Sequence, residues 1–178
     1  MFRYVPVQTD DFEEFYEAGY RRLVALVTAI VGDRHQAEDI AQEAFARALT
    51  RWSRIVRYDL PEAWVRRVAL RLTVDAARRT RRVRMMSALL AVGQRGGAAG
   101  RYDRHDPLEA TALSIALMRL PLPQRQVLVL HYLADLTVDD VARDCGIPVG
   151  TVRARLASAR QRLQRELTNF DEEVPNVR

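Results

Sequence analysis

The chemistry this chain can offer is carried by arginine. Its 28 basic residues are all arginines and stand against 23 acids, a net charge of +5 with an isoelectric point near 10.0. Placement matters more than number: residues 63–84 hold 8 arginines and 1 acid, interleaved with Trp64, Val65, Val68 and Leu72. A guanidinium stays charged and forks toward two phosphate oxygens, and an aromatic ring beside it can stack on a base. That mixture suits single-stranded nucleic acid, and it makes Trp64, Arg66, Arg67, Arg71, Arg78 and Arg79 candidate contacts. A second basic segment, residues 148–178, holds 6 arginines and 4 acids. There Val152, Leu156, Ala159 and Leu163 share one helical face, which turns Arg153, Ala154, Arg155, Ser158 and Arg160 outward. Small residues flanked by arginines let a helix lie deep in a major groove.

Other chemistries have little to build on. Cys145 is the single cysteine and reads as a small packing residue, with no base or oxyanion donor beside it in a motif. His35, His105 and His131 do not make a zinc spacing with it. The sequence contains no phosphate-binding glycine loop, dinucleotide fingerprint or paired-histidine metalloprotease motif. No catalytic residue, metal site or cofactor is therefore expected. The longest apolar run, residues 23–31, is interrupted by Thr28 and falls far short of the ~20 residues of a membrane span. Residues 1–14 carry acids and aromatics where a secretory signal would carry basic and apolar runs. A cytoplasmic protein without membrane insertion is expected.

The elements that must position these arginines read as helices. Apolar residues recur with a 3.6-residue period over 11–31, 36–51 and 61–82, the last opened by Pro61, with a loop over 52–60. Periodicity fails after Arg84, where residues 91–100 hold four of the chain's eight glycines, and returns over 108–119 and 124–133. Two short helices follow at 137–144 and 148–167, separated by Cys145-Gly146-Ile147-Pro148 in the pattern of a helix-turn-helix. No alternating strand or hairpin signal occurs. The expected fold is all-α: two small helical domains, 8–84 and 107–168, joined by a flexible linker at 85–106.

Three segments resemble a known family. Residues 120–130 (LPLPQRQVLVL), 136–142 (LTVDDVA) and 146–156 (GIPVGTVRARL) look like region 4 of bacterial extracytoplasmic-function sigma factors. Ala37-Glu38-Asp39-Ile40-Ala41-Gln42-Glu43-Ala44-Phe45 resembles region 2.2, and Ala63-Trp64-Val65-Arg66-Arg67-Val68-Ala69, with Asp75 and Arg78-Arg79, resembles region 2.4. The resemblance implies a subunit that binds core RNA polymerase at the beta-prime coiled coil and the beta flap. It further implies that the N-terminal domain melts and reads the minus-ten element and that the C-terminal domain reads the minus-thirty-five element. Asp39, Gln42 and Glu43 would then form the polymerase-binding face, and Thr151 would join Arg153, Ala154, Arg155, Ser158 and Arg160 on promoter DNA. Residues 52–60 correspond to the loop that receives a flipped minus-ten base.

This chain departs from the family pattern at four positions. Ala154 stands where serine is usual, Ser158 where arginine is frequent, Asp140 where glutamate is common, and Arg71 where many members carry asparagine. The short tail 168–178 predicts no fused regulatory domain, so regulation is left to a separate protein such as an anti-sigma factor. Two other readings remain open: a stand-alone two-domain helix-turn-helix regulator, which gives Asp39 and Glu43 no role, and a protein-binding adaptor without DNA affinity.

Overall fold

The computed structural model describes residues 10–91 and 111–173, which form eight helices and no strand. These are α1 (Phe12–Val31), α2 (Arg34–Leu49), α3 (Trp52–Ile55), α4 (Pro61–Ala91), α5 (Ala112–Arg119), α6 (Leu122–Tyr132), α7 (Val138–Cys145) and α8 (Val149–Glu173). The expected linker lies outside the described residues from 92 onward.

Local chemistry sets most of the boundaries. Asp11 accepts the backbone N–H of Glu13 at 2.9 Å and Asp33 that of Gln36 at 3.0 Å, so each caps a helix start. Between them Gly32 ends α1 in the left-handed conformation (φ 79°) and donates its N–H to the Thr28 carbonyl at 2.8 Å. Thr111 and Thr137 cap α5 and α7 in the same way. Gly146, at φ 65°, makes the tight turn into the last helix. Two helices outrun expectation. α4 continues through Ala91 because Arg, Met, Leu and Ala all favour helix and no Gly or Pro intervenes before Gly93. α8 continues to Glu173, two residues before Pro175. Part of the expected loop is also helical: Trp52 opens α3, packs on Phe15 (ring centroids 4.8 Å apart) and donates its indole N–H to the Asp10 carbonyl at 2.9 Å.

In the N-terminal unit Phe15, Leu23, Leu26, Val27 and Ile30 of α1 bury against Ala37, Ile40, Ala41, Ala44 and Phe45 of α2. The alanine-lined face of α2 lets the two helix axes approach closely. In the C-terminal unit Val127, Leu128, Val129 and Leu130 of α6 meet Val141 of α7 and Val152, Leu156 and Ala159 of α8. The all-α class and the two helical units are as expected. The units also touch one another: α5 and α6 pack on α1, α7 packs on α4, and one continuous apolar core runs through both units. Nothing in the helical periodicity of either half announces this, because periodicity marks a buried face and not what buries it.

Arg125 ties the units together. Its buried guanidinium donates to the Ile30 carbonyl at the end of α1 (2.6 Å) and to the Met118 and Leu120 carbonyls at the end of α5 (3.1 and 3.0 Å). The last carbonyls of a helix have no intrahelical partner and carry its negative dipole end, so one cation serves two helix termini. Arg125→Met, which leaves those acceptors buried, is expected to lose about 3 kcal/mol in urea unfolding. Arg47→Met, at an exposed pair with Glu43 (2.7 Å), is expected to lose less than about 1 kcal/mol.

Candidate nucleic-acid and protein interfaces

On α2 the requirement that Ile40, Ala41, Ala44 and Phe45 be buried turns Asp39, Gln42 and Glu43 outward, and all three are exposed. Ala46 and Leu49 continue the same face, and Leu49 is 57% exposed. The patch is therefore acidic and amide-bearing at one end and apolar at the other, a surface suited to a protein carrying both basic and apolar side chains. Leu49 was missed from sequence because a leucine at the end of an amphipathic helix reads as core.

The basic segment splits by face. Arg71, Arg78 and Arg79 are exposed, Arg67 and Trp64 are half-buried, and Arg66 is buried. Arg67, Arg71, Arg78 and Arg82 recur at helical spacing and form a ridge about 22 Å long. Arg78 reaches Asp75 at 3.8 Å, and Arg67 donates to the Ala63 carbonyl at 3.1 Å. Trp64 packs against the core and is only partly accessible. Arg66 departs most from expectation: its Nε donates to Asp144 Oδ2 of α7, and each side chain is only 4% exposed. In this arrangement it cannot reach a nucleic acid.

On α8 the face opposite Val152, Leu156 and Ala159 is open. Arg153, Ala154 and Arg160 are exposed, and Thr151, Arg155 and Ser158 are half-buried. Ser158 accepts a hydrogen bond from Gln124 at 3.1 Å. Arg160 donates its Nε to the Tyr132 hydroxyl at 2.6 Å and sits 5.4 Å from the centre of that ring. Tyr132, itself 54% exposed, thus holds the guanidinium at the rim of the open face of α8, and periodicity alone had not singled it out. At the start of α7, the hydrogen bond from Thr137 (2.6 Å), backed by Arg143, holds the Asp140 carboxyl below its usual range. This fixes the first helix of the helix-turn-helix through a charged cap. Cys145 is half-buried, and burial, with Asp144 beside it, pushes its thiol up to about 11. A thiol protonated at neutral pH is a packing group and a poor nucleophile. Among the described residues no helix is long and apolar enough to cross a membrane.

Comparison with known proteins follows the same division. Residues 15–83 match the family model for Sigma-70 region 2 and residues 111–163 that for Sigma-70, region 4. The chain is 30% identical to the ECF RNA polymerase sigma factor SigW of Bacillus subtilis, covering 90% of this chain and 91% of that protein. It is 32% identical to the ECF RNA polymerase sigma factor SigE of Mycolicibacterium smegmatis, covering 86% of this chain and 60% of that protein. In fold it resembles the sigma factor RpoE in complex with the anti-sigma factor NepR from Bartonella quintana, with a TM-score of 0.66 at 22% identity over 90% of this chain and 98% of that one. It also resembles CnrH in complex with the cytosolic domain of CnrY, with a TM-score of 0.58 at 20% identity over 89% of this chain and 88% of that one. Two sigma regions in order along one chain, and a near full-length relative at 30% identity, leave one assignment: the chain belongs to the extracytoplasmic-function family of RNA polymerase sigma factors.

Proposed function

We propose that this protein is a promoter-specificity subunit that docks on core RNA polymerase through the exposed Asp39–Gln42–Glu43 face, engages the minus-ten strand with the α4 ridge and reads the minus-thirty-five element with α8. The observation that carries the reading is the separation of charge by helix: an acidic face on α2 and basic faces on α4 and α8, each formed because the opposite face is buried. The beta-prime coiled coil is the partner proposed for α2, and the beta flap for the C-terminal unit. The chain contributes binding and positioning, while bond formation belongs to the polymerase. It works in the cytoplasm, where the polymerase is, and an anti-sigma protein is the proposed regulatory partner.

The physical division of labour follows from residue type. The α4 ridge offers phosphates a line of permanent charges, which gives affinity and strong salt dependence with little sequence preference. Arg153, exposed in the first turns of α8, is the residue best placed for a bidentate contact to guanine. Ala154 offers no hydrogen-bonding group and serves by letting the helix approach. Arg160 reaches DNA already ordered by Tyr132, so less side-chain entropy is lost on binding.

Three measurements test this reading. Reversing charge with Asp39→Arg plus Glu43→Arg is expected to abolish binding to purified core polymerase while leaving the helical circular dichroism intact, since both side chains are exposed. Unaltered affinity would favour a regulator that works without polymerase. Arg153→Ala is expected to cost about 1–3 kcal/mol of discrimination at one minus-thirty-five position. Selection from a promoter library that returns the parent's preference would remove Arg153 from the readout. Arg71 lies in the middle of a basic ridge, so Arg71→Asn is expected to weaken promoter binding evenly across sequences and to lower the salt slope by about one. A shift in base preference at one minus-ten position would instead make Arg71 a reader of sequence.

A further inference from the structure

The contact between the two units is polar where it touches the proposed DNA helix. Arg66 of α4 and Asp144 of α7, 78 residues apart in sequence, form an ion pair with both side chains 4% exposed, and Arg67 approaches the other carboxylate oxygen at 3.9 Å. Two turns further along α4, Gln126 of α6 donates to the Thr73 hydroxyl at 2.8 Å. Glu62, buried in the first turn of α4, lies close enough to Arg66 to feel its charge. Burial drives the Asp144 carboxyl upward although Arg66 and Arg67 pull the other way. As in buried ion pairs generally, the cost of withdrawing the charges from water offsets much of their attraction, while loss of one partner leaves the other buried and uncompensated.

Function as a sigma factor requires the units to part. The minus-ten and minus-thirty-five elements are about 25 base pairs apart, roughly 85 Å along B-form DNA at ~3.4 Å per pair. The longest helix, the 31-residue α4, is only about 46 Å long at ~1.5 Å per residue, and α7 of the helix-turn-helix packs against it. In the closed arrangement α4 and α8 cannot reach both elements. Asp39, Gln42 and Glu43, by contrast, are already exposed.

We propose that the buried Arg66–Asp144 pair is an interdomain latch: the closed chain can meet polymerase through α2, and release of the pair both separates the units and delivers Arg66 to the promoter strand. The role given to Arg66 after release rests on the sigma-factor reading, while the latch itself does not. Small-angle X-ray scattering on the full chain tests the latch. The parent's own radius of gyration is the reference, and Asp144→Ala and Arg66→Asp are expected to exceed it by several ångström with helicity retained. The swapped pair, Arg66→Asp with Asp144→Arg, is expected to return to the parent's value. Single variants as compact as the parent, or a swap that stays expanded, would overturn the latch. Should the single variants lose helicity, Arg66→Met with Asp144→Leu decides: an apolar pair is expected to fold, stay compact and resist urea better than the parent, and an expanded double variant would overturn the proposal. Binding of a single-stranded minus-ten oligonucleotide by the free chain is expected to tighten about tenfold in Asp144→Ala, the inverse of an open fraction near one tenth in the parent. Core polymerase binding by the parent is the separate test of the functional reading, and its absence would leave the scattering result standing.

Discussion

Between Arg125 and Leu130, α6 has no solvent face, and the rest of the structure is arranged around that constraint. A helix packed by α7 and α8 on one side and by α1 on another must satisfy every polar group it carries from within the protein. Its apolar residues do this by having none. Arg125 and Gln126 cannot, and both find their partners across the boundary between the units, at Ile30 and at Thr73. The polar groups of α6 therefore fix how the units meet, where apolar packing alone would tolerate small slides and rotations. The same contact places α7 against α4 and so determines that Asp144 lies opposite Arg66.

Neighbouring arginines on one helix acquire opposite roles through this geometry. Arg66 and Arg67 differ by one position, about 100° around the helix axis, and that rotation separates a buried ion pair from a half-exposed ridge. The charge density of residues 63–84 is consequently not the charge density of a surface. With the units in contact, DNA would meet Arg67, Arg71, Arg78 and Arg82, and Arg66 would add to that field only once Asp144 has withdrawn.

Features set within one or two turns were legible in the sequence. The breaks at Gly32-Asp33 and Gly146, the capping threonine at 137, and the faces of α2 and α8 follow from residue type and spacing, and they place Asp39, Glu43 and Arg153 at the surface. Helix ends were read less well. Past Arg82 and Leu167 nothing favours a stop, yet neither stretch carries the periodic apolar residues by which a helix is recognised. Trp52 shows a different limit: its ring anchors α3 to Phe15, a packing relation that leaves no trace within the segment itself. Least legible was the Arg66–Asp144 pair. One partner lies in a basic run that reads as a nucleic-acid surface, the other in a short helix legible only as half of a helix-turn-helix, and only the docking of the two units brings them together.

A buried ion pair is a poor choice where stability alone is at stake, since apolar side chains of similar volume serve at least as well. It differs from an apolar contact in how it fails. Apolar surfaces lose free energy gradually as they separate, whereas a buried charge deprived of its partner is strongly unfavourable until water reaches it. The closed state is thus well defined, and a partly opened one is disfavoured. Once hydrated, each charge recovers its solvation, and Arg66 gains a further alternative to Asp144 in the phosphates of nucleic acid. DNA engaged by the open chain would therefore oppose reclosure by occupying the guanidinium that closure needs. This coupling acts through one side chain, because an arginine of the contact between the units, Arg66, is drawn from the helix proposed to bind the promoter strand.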